Sequence, residues 1–325
     1  MAVKVLSTHK LPDEGLKNLR ESFDVILPEG KHFSYKELEK QIEEVEVLIP
    51  VFGFEINKEL IQKGKKLRII ANFGVGFNNI DVSAATEKNI IVTNTPKTVI
   101  EPTAELAFGL LLSLTRRITE LDHKLKKKEE IKWEVMANLG HTLQNKTLGI
   151  IGMGNIGKSF AQKARAFGMH ILYYSRERIS LTDEYFYQAE PSSIEHLLKN
   201  SDVISLHVPL TKETHHMLGE EEFEKMKKGA YIINSSRGPV IDEKILIRYL
   251  ENGKLGGAGL DVYEFEPKIS KKLLEMEHVV LTPHIGTASL ETRVEMAKEV
   301  STNIFHFFEG NTPPNIVNPE VLEGN

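Results

Sequence analysis

The sequence predicts an α/β protein with two doubly wound parallel-sheet domains, and three observations lead to this fold class. Short apolar segments alternate with helical patterns through the first hundred residues. A second alternation of the same kind starts near Leu148. A glycine-rich turn follows the first apolar segment of this second series. Strands that alternate with helices are typical of βαβ units, and such units build parallel sheets.

The first series contains five predicted strands and four predicted helices. The strands are Val3–Leu6, Phe23–Leu27, Val45–Val51, Leu67–Ala71 and Ile90–Val92. The helices are Leu11–Glu21, Tyr35–Glu44, Asn57–Lys63 and Asp81–Lys88. Asn57 is a favourable N-cap for the third of these helices. A long helix is predicted next, from Thr103 to about Lys126.

The second series contains six predicted strands, and a last helix follows them from Ser289 to Glu309. The strands are Leu148–Ile151, Ile171–Tyr174, Val203–Leu206, Ala230–Ile233, Gly257–Leu260 and Val279–Leu281. The last helix follows the final strand of this sheet and is not needed to complete the second domain. The simplest topology therefore packs it against the first domain. We therefore expect residues 1–100 and 290–325 to form one discontinuous domain, residues 101–289 to form the other, and a cleft to separate them.

Composition excludes several classes of protein. The net charge of −5 does not favour nucleic-acid binding, which needs a basic face. The chain has no cysteine, so disulfides and thiolate metal sites are excluded, and no other spacing suggests a metal. The longest apolar run, Leu106 to Leu114, is too short to span a bilayer, and the N-terminus lacks a secretory pattern. We expect a cytoplasmic protein without a membrane partner.

The glycine-rich turn indicates dinucleotide binding. Gly152, Gly154 and Gly157 form a G-x-G-x-x-G pattern between an apolar strand and a helical segment, with Asn155 and Ile156 at the helix start. In this fingerprint the glycines allow a tight turn, close approach of backbone to the pyrophosphate, and helix packing on the strand. The helix N-terminus supplies N–H groups to the anion.

Polar segments follow three late strands of the second series. They are Asn234–Gly238, Asp261–Pro267 and Thr282–Gly286. Ligands of open α/β sheets bind beyond the carboxyl ends of the strands, so these segments face the predicted site. An arginine fork can hold a carboxylate, and a histidine beside a carboxylate can supply a proton. Next to a nicotinamide, this set suits hydride transfer to a 2-oxo acid.

These segments resemble, over essentially the full chain, the D-isomer-specific 2-hydroxyacid dehydrogenase family. The matching motifs are GIIGMGNIGKSFAQKARAFG, SDVISLHVPLTKETHHML, INSSRGPVID, GLDVYEFEP, VVLTPHIGTAS, NFGVGFNNID and VTNTP. The resemblance implies a flavodoxin-like substrate domain and a Rossmann dinucleotide-binding domain. It also implies a homodimer formed through the helix from Thr103.

The resemblance assigns roles to individual residues. Arg237, Glu266 and His284 would be catalytic, and the family spacing prefers Glu266 to Glu264. The backbone of Val75 and Gly76 would bind the substrate carboxylate beside Arg237. Other residues would contact the cofactor: Thr103, Val208, Pro209, Thr214, Ser236 and Asp261. Glutamate at position 266 separates the chain from the similar formate dehydrogenases, which carry Gln there, and it favours the protonated histidine that reduction needs.

The end of the second strand predicts the choice of cofactor. NAD-preferring proteins place an acidic residue there to bind the ribose 2′-OH. Ser175 takes that position here, and Arg176 follows it, although Glu177 is also near. A hydroxyl and a guanidinium suit a 2′-phosphate. We expect NADP(H) to be preferred, with NAD(H) still possible.

The substrate is less sharply predicted. The segment Pro50–Phe54 lies where the family's first domain approaches the substrate, so Phe52 is a candidate contact. The Tyr-Tyr-Ser-Arg cofactor strand is similar to that of glyoxylate and hydroxypyruvate reductases. A 2-ketogluconate-type sugar-acid reductase remains an alternative. A dinucleotide-sensing regulator, like the corepressors built on this fold, is a rival from another class.

Overall fold

The computed structural model describes residues 2–51 and 53–322, so Phe52 lies outside the described residues. The chain divides into two compact units. Unit 1 runs to Val99 and resumes at Thr287, and unit 2 is Ile100–Gly286. Within the described ranges, the helices are too short or too polar to cross a membrane.

Unit 1 has a five-stranded parallel sheet in the doubly wound order β2-β1-β3-β4-β5. Its strands are β1 (Lys4–Ser7), β2 (Asp24–Ile26), β3 (Val47–Ile49), β4 (Ile69–Ala71) and β5 (Ile91–Thr93). Its first four helices are α1 (Asp13–Ser22), α2 (Tyr35–Gln41), α3 (Lys58–Lys63) and α4 (Val82–Glu87). The predicted second helix ends as a 3₁₀ turn, Ile42–Glu44. This strand order is that of flavodoxin-like sheets, so the predicted fold of this unit is confirmed.

The last helix, α13 (Leu290–Phe308), packs within unit 1. Ser289 caps it by accepting the Thr292 N–H. Four of its buried side chains share a core with β1 and α1; they are Met296, Ala297, Val300 and Ile304. Gly15 of α1 faces Ala297 so closely that a Cβ on Gly15 would lie 2.4 Å from the Ala297 Cβ.

Unit 2 has a seven-stranded parallel sheet in the order β12-β11-β10-β9-β6-β7-β8. Its strands are β6 (Thr147–Ile151), β7 (His170–Tyr174), β8 (Ala189–Pro191), β9 (Val203–Leu206), β10 (Ala230–Asn234), β11 (Leu255–Leu260) and β12 (Val279–Leu281). Its helices are α5 (Ile100–Thr115), α6 (Ile118–Lys126), α7 (Asn155–Ala166), α8 (Leu181–Tyr187), α9 (Ile194–Asn200), α10 (Glu220–Lys225), α11 (Glu243–Glu251) and α12 (Lys271–Glu275). Without β12, the strands lie in the order β8-β7-β6-β9-β10-β11, which is the strand order of the Rossmann fold.

The expectation of six strands in this unit was wrong, because β8 is a seventh. Strand β8 is three residues long and buries Ala189 but neither of its other two side chains. It therefore has no apolar run that a sequence pattern could reveal. It pairs with β7 at the edge of the sheet, where Pro191 can be accommodated although it donates no hydrogen bond.

The predicted single helix from Thr103 to Lys126 was also wrong, because α5 ends at Thr115 and α6 begins at Ile118. Arg117 between them has φ +55°, a left-handed conformation that ends a helix. Its guanidinium binds both oxygens of Glu120 at 2.7 and 2.6 Å. Hydrogen bonds from Arg117 and Lys124 lower the pKa of Glu120 to about 2. The Thr115 carbonyl accepts the His141 N–H at 2.8 Å.

The close packing of α1 on α13 predicts that Gly15→Ala destabilises unit 1. The added methyl would meet Ala297 and lie 2.6 Å from the Val294 carbonyl oxygen. We expect the free energy of unfolding to fall by about 1–3 kcal/mol in urea denaturation. Gly109→Ala in α5 is the matched control, because among the described residues that Cβ would meet no heavy atom within 4 Å apart from its chain neighbours and the nearby backbone of its own helix. A Gly15→Ala protein as stable as the wild type would contradict this packing.

Candidate active site

The glycine turn after β6 leaves open space at the start of a helix. Gly152 has φ +98°, and a Cβ there would lie 2.5 Å from the His207 carbonyl oxygen. A Cβ on Gly157 would lie 2.3 Å from the Gly152 carbonyl oxygen, so this glycine lets α7 pack against the turn. Gly154 precedes α7, and among the described residues beyond its two chain neighbours no heavy atom lies within 4 Å of its Cβ position. A ligand can therefore approach the backbone at Gly154.

Helix α7 presents the backbone N–H groups of its first turn at this opening. Asn155 and Ile156 are its first two residues, and the N–H groups of a first turn have no acceptor within the helix. The positive end of the helix dipole adds to their attraction for an anion. The residues present therefore fit the pyrophosphate of a dinucleotide.

Ser175 links the end of β7 to the glycine turn. Its hydroxyl oxygen accepts the Met153 N–H at 2.7 Å, and a serine oxygen that accepts still carries a proton to donate. Arg176 is exposed, whereas Arg178 binds Glu184 through two bonds of 2.7 and 2.8 Å. Arg176 is therefore better placed than Arg178 to meet a ligand.

Three proposed catalytic residues follow three adjacent strands of unit 2. Arg237 follows β10, Glu266 follows β11, and His284 follows β12. The Glu266 carboxylate joins the second and third segments, because Oε2 lies 2.9 Å from His284 Nδ1. Its Oε1 accepts the Tyr263 N–H at 3.0 Å. The fold thus brings together an imidazole, a carboxylate and a guanidinium that are far apart in sequence.

Charges within this trio keep Glu266 ionised. Burial alone would raise the pKa of Glu266, but the hydrogen bond and charge of His284, aided by the charge of Arg237, hold it below the usual range. Burial lowers the pKa of the Arg237 guanidinium, and the nearby Glu266 opposes that effect. An ionised carboxylate can only accept, so His284 Nδ1 is the donor. The other ring nitrogen, Nε2, is then the one at which a proton can be exchanged.

The Asn234 amide shapes the turn that carries Arg237. Its Oδ1 accepts from the Ser236 N–H and hydroxyl at 3.0 and 2.8 Å, and its Nδ2 donates to the Arg237 carbonyl at 3.0 Å. The Arg237 Nη1 donates to the Ser236 carbonyl at 2.7 Å. Within the described residues, the buried Ser235 hydroxyl has no hydrogen-bond partner, and a bound ligand could supply one. The role of Ser236 beside a cofactor stays a prediction.

Asp261 anchors the loop that carries His284. Its Oδ1 accepts from the Thr282 hydroxyl and the Ile285 N–H at 2.7 and 2.8 Å, and its Oδ2 accepts from the Gly286 N–H at 2.8 Å. Burial raises the pKa of Asp261 even though these bonds oppose the shift. Both carboxylate oxygens thus serve the chain's own loop, while contact of Asp261 with the cofactor stays a prediction.

Four further predicted cofactor contacts lie in well-held segments of unit 2. Thr214 donates its hydroxyl to the Pro209 carbonyl at 2.6 Å, which closes the loop that follows β9 and includes Val208. A Cβ on Gly286 would lie 3.5 Å from the Thr103 hydroxyl oxygen, so Thr103 packs beside the loop that carries His284.

Val75 and Gly76 form a turn after β4 in unit 1. The buried Asn72 amide donates to the carbonyls of Gly74 and Gly76 at 3.0 and 2.9 Å. Asn94 donates to the Val75 carbonyl at 2.9 Å. With these carbonyls held, the N–H groups of Val75 and Gly76 have no backbone acceptor among residues 2–51 and 53–322. The turn is therefore suited to binding a carboxylate.

Sequence reasoning missed the residues that shape the site without carrying its chemistry. Asn72 and Asn234 hold turns through their amides, and the Tyr263 hydroxyl donates to the Thr282 carbonyl at 2.8 Å. The sequence signal for both residues is an asparagine directly after an apolar, strand-like run. In the described part of the chain, there is no cluster of three or more histidine and acidic side chains that could hold a metal ion.

Comparisons with known proteins agree with this geometry. Residues 108–286 match the family model of the D-isomer specific 2-hydroxyacid dehydrogenase, NAD binding domain. A glyoxylate reductase of Thermococcus litoralis is 45% identical over 99% of this chain and 98% of its own length. The crystal structure of a glyoxylate reductase from Paecilomyes thermophila has a TM-score of 0.88 and 35% identity, over 98% of this chain and 99% of that one. An acyclic imino acid reductase in complex with NADPH and D-Arg has a TM-score of 0.86 and 27% identity, over 97% and 100%.

Proposed function

Because this chain belongs to the D-isomer-specific 2-hydroxyacid dehydrogenase family, we propose that it reduces a small 2-oxo acid to the D-2-hydroxy acid. Glyoxylate and hydroxypyruvate are the proposed type of substrate, since a full-length relative at 45% identity is a glyoxylate reductase. The observation that carries this proposal is the Glu266–His284 pair, which shares one sheet edge with Arg237.

Each member of the trio has a distinct role in this reaction. His284 donates the Nε2 proton to the 2-oxo oxygen of the substrate as negative charge develops there. Glu266 stabilises the imidazolium through its ionised carboxylate. The Arg237 guanidinium binds the substrate carboxylate and polarises its carbonyl group. The N–H groups of Val75 and Gly76 are proposed to bind the same carboxylate.

The proposed cofactor is NADPH, which would supply the hydride when bound. The N-terminus of α7 would hold its pyrophosphate, and the open Cβ position of Gly154 allows that approach. The Ser175 hydroxyl and the exposed Arg176 would hold the 2′-phosphate. A carboxylate in place of Ser175 would repel that phosphate, and its absence supports NADPH over NADH.

A homodimer is the proposed assembly. The linker between α6 and β6, residues 127–146, exposes four large apolar side chains: Trp133 at 90%, Val135 at 93%, Met136 at 76% and Leu139 at 54%. Adjacent apolar side chains with this exposure indicate a protein-binding surface. A second copy of this chain is the partner that the family resemblance implies.

We expect the wild-type protein to have twice the 36.7 kDa chain mass in light scattering, and Trp133→Glu to shift it towards 36.7 kDa. A charge at a buried interface position is unpaired, so association weakens. Tyr185→Glu on α8 is the control, because that side chain is 87% exposed but lies outside the linker. A monomeric wild-type protein would refute the proposed assembly.

His284→Ala should lower kcat for glyoxylate reduction by about 10²–10⁴, the usual contribution of general acid–base catalysis. The NADPH dissociation constant, measured by fluorescence, should stay close to that of the wild type. His170→Ala serves as the control. This exposed histidine is the first residue of β7, whereas the proposed site lies beyond the carboxyl ends of the strands. If kcat fell by less than a few-fold, His284 would not be the proton donor.

Ser175→Asp combined with Arg176→Ala should shift the ratio of kcat/KM for NADPH over NADH towards NADH. The new carboxylate can accept from a ribose 2′-OH and repels a 2′-phosphate. Arg178→Ala is the matched control, because that guanidinium is engaged by Glu184. A cofactor ratio that is unchanged in the double variant, or changed equally in the control, speaks against the proposed phosphate site.

A further inference from the structure

Two glutamates beside the catalytic trio, one buried and one largely buried, bind each other's backbone. The Glu243 N–H donates to Glu264 Oε2 at 2.9 Å, and the Glu264 N–H donates to Glu243 Oε2 at 3.1 Å. Glu243 is 6% exposed, and the Glu264 side chain is 12% exposed. We call this reciprocal pair the glutamate clamp. The mechanism proposed above uses neither carboxylate.

His216 completes the clamp from a third segment. Its Nε2 lies 2.7 Å from Glu264 Oε1, and its Nδ1 lies 3.8 Å from Asp242 Oδ2. The His216 N–H donates to the Pro239 carbonyl at 2.8 Å. Both oxygens of Glu264 are therefore occupied, one by a backbone N–H and the other by an imidazole.

The clamp joins the two segments that carry Arg237 and Glu266. Gly238, next to Arg237, touches the backbone of Tyr263 so closely that a Cβ would lie 1.9 Å from the Tyr263 carbonyl oxygen. Tyr263 in turn donates its N–H to Glu266. Any separation of these segments would therefore displace Arg237 from Glu266.

Burying the carboxylates of the glutamate clamp does not favour the stability of the fold. Burial raises the pKa of Glu243, and the charge of Glu264 raises it further. Well-packed apolar side chains in place of buried charges are often neutral or stabilising. What these carboxylates supply that apolar groups cannot is directed acceptance of two N–H groups on opposite segments.

We propose that Glu264 is a positioning residue that, through the glutamate clamp and His216, sets the distance between the Arg237 guanidinium and the Glu266 carboxylate. The inference rests on the proposed reductase function for its kinetic consequence. The structural consequence, a fixed pair of turns, is independent of the reaction.

The main test compares Glu264→Ala with Glu264→Gln. In Glu264→Ala, kcat for glyoxylate reduction should fall by about 10²-fold, the effect of a small misplacement of reacting groups, with the NADPH dissociation constant unchanged. Glu264→Gln should recover most of this loss, because its amide can accept from Glu243 and donate to a neutral His216. His216→Ala should show a smaller loss in the same direction, and it provides a second variant should Glu264→Ala fail to fold.

The pH profile separates positioning from simple destabilisation. The charged groups that act on Glu266 are His284 on the β12 loop and Arg237 on the β10 turn, and the titratable group that faces it from its own segment is Tyr263. If Glu266 is displaced, it stabilises the imidazolium less, so the pH at which kcat/KM is half-maximal should move down. Asp202→Ala is the control; this carboxylate also accepts a backbone N–H, from Thr147 at 2.8 Å, but at the opposite end of the sheet.

Two results would overturn the inference. One is a Glu264→Ala protein with wild-type kcat and pH profile; the other is an Asp202→Ala protein with the same kinetic changes. If the wild type shows no turnover, the proposed function fails, but the glutamate clamp can still be tested by hydrogen exchange. The amides of Glu243 and Glu264 should exchange slowly in the wild type and faster in Glu264→Ala, and equal rates would overturn the clamp.

Discussion

Parallel pairing of every strand in unit 2 is the constraint on which the site depends. Parallel strands end at one edge of the sheet, so segments separated by more than a hundred residues of sequence meet there. The glycine turn follows β6, Ser175 follows β7, and the three proposed catalytic residues follow β10, β11 and β12. Each strand core is built from ordinary apolar residues, and the chemistry begins where each strand stops. Loops at this edge can therefore carry polar groups without weakening the core.

Holding buried charges in place is the second requirement, and hydrogen bonds between loops meet it. Asp261 ties the loop of His284 to the end of β11 with three bonds. Asn234 holds the turn of Arg237, and the glutamate clamp joins that turn to the segment of Glu266. A buried carboxylate without partners would be costly, so each one here is satisfied by donors from a neighbouring segment. The same bonds that satisfy these groups also fix the geometry of the site.

The sequence predicted features that are local and missed those that depend on tertiary contacts. Apolar runs followed by polar residues were enough to predict both sheets and to select Arg237 and His284 as site candidates. Strand β8 carries no such run, because one of its three side chains is buried. The break at Arg117 depends on its bonds to Glu120 and on a later segment that reaches Thr115. The clamp could not be predicted, because its partners lie 21 residues or more apart along the chain and their pairing depends on how two loops pack.

The proposed activity of this chain is the reduction of small 2-oxo acids with NADPH. The most direct measurement is kcat/KM of the purified protein for glyoxylate, hydroxypyruvate, pyruvate and 2-ketogluconate, each with NADPH and with NADH. We expect turnover that is highest for glyoxylate or hydroxypyruvate and higher with NADPH than with NADH. A protein that binds a dinucleotide but turns over none of these acids would contradict the claim and favour a dinucleotide-sensing role. Highest activity on 2-ketogluconate would contradict the proposed substrate type while leaving the reaction in place.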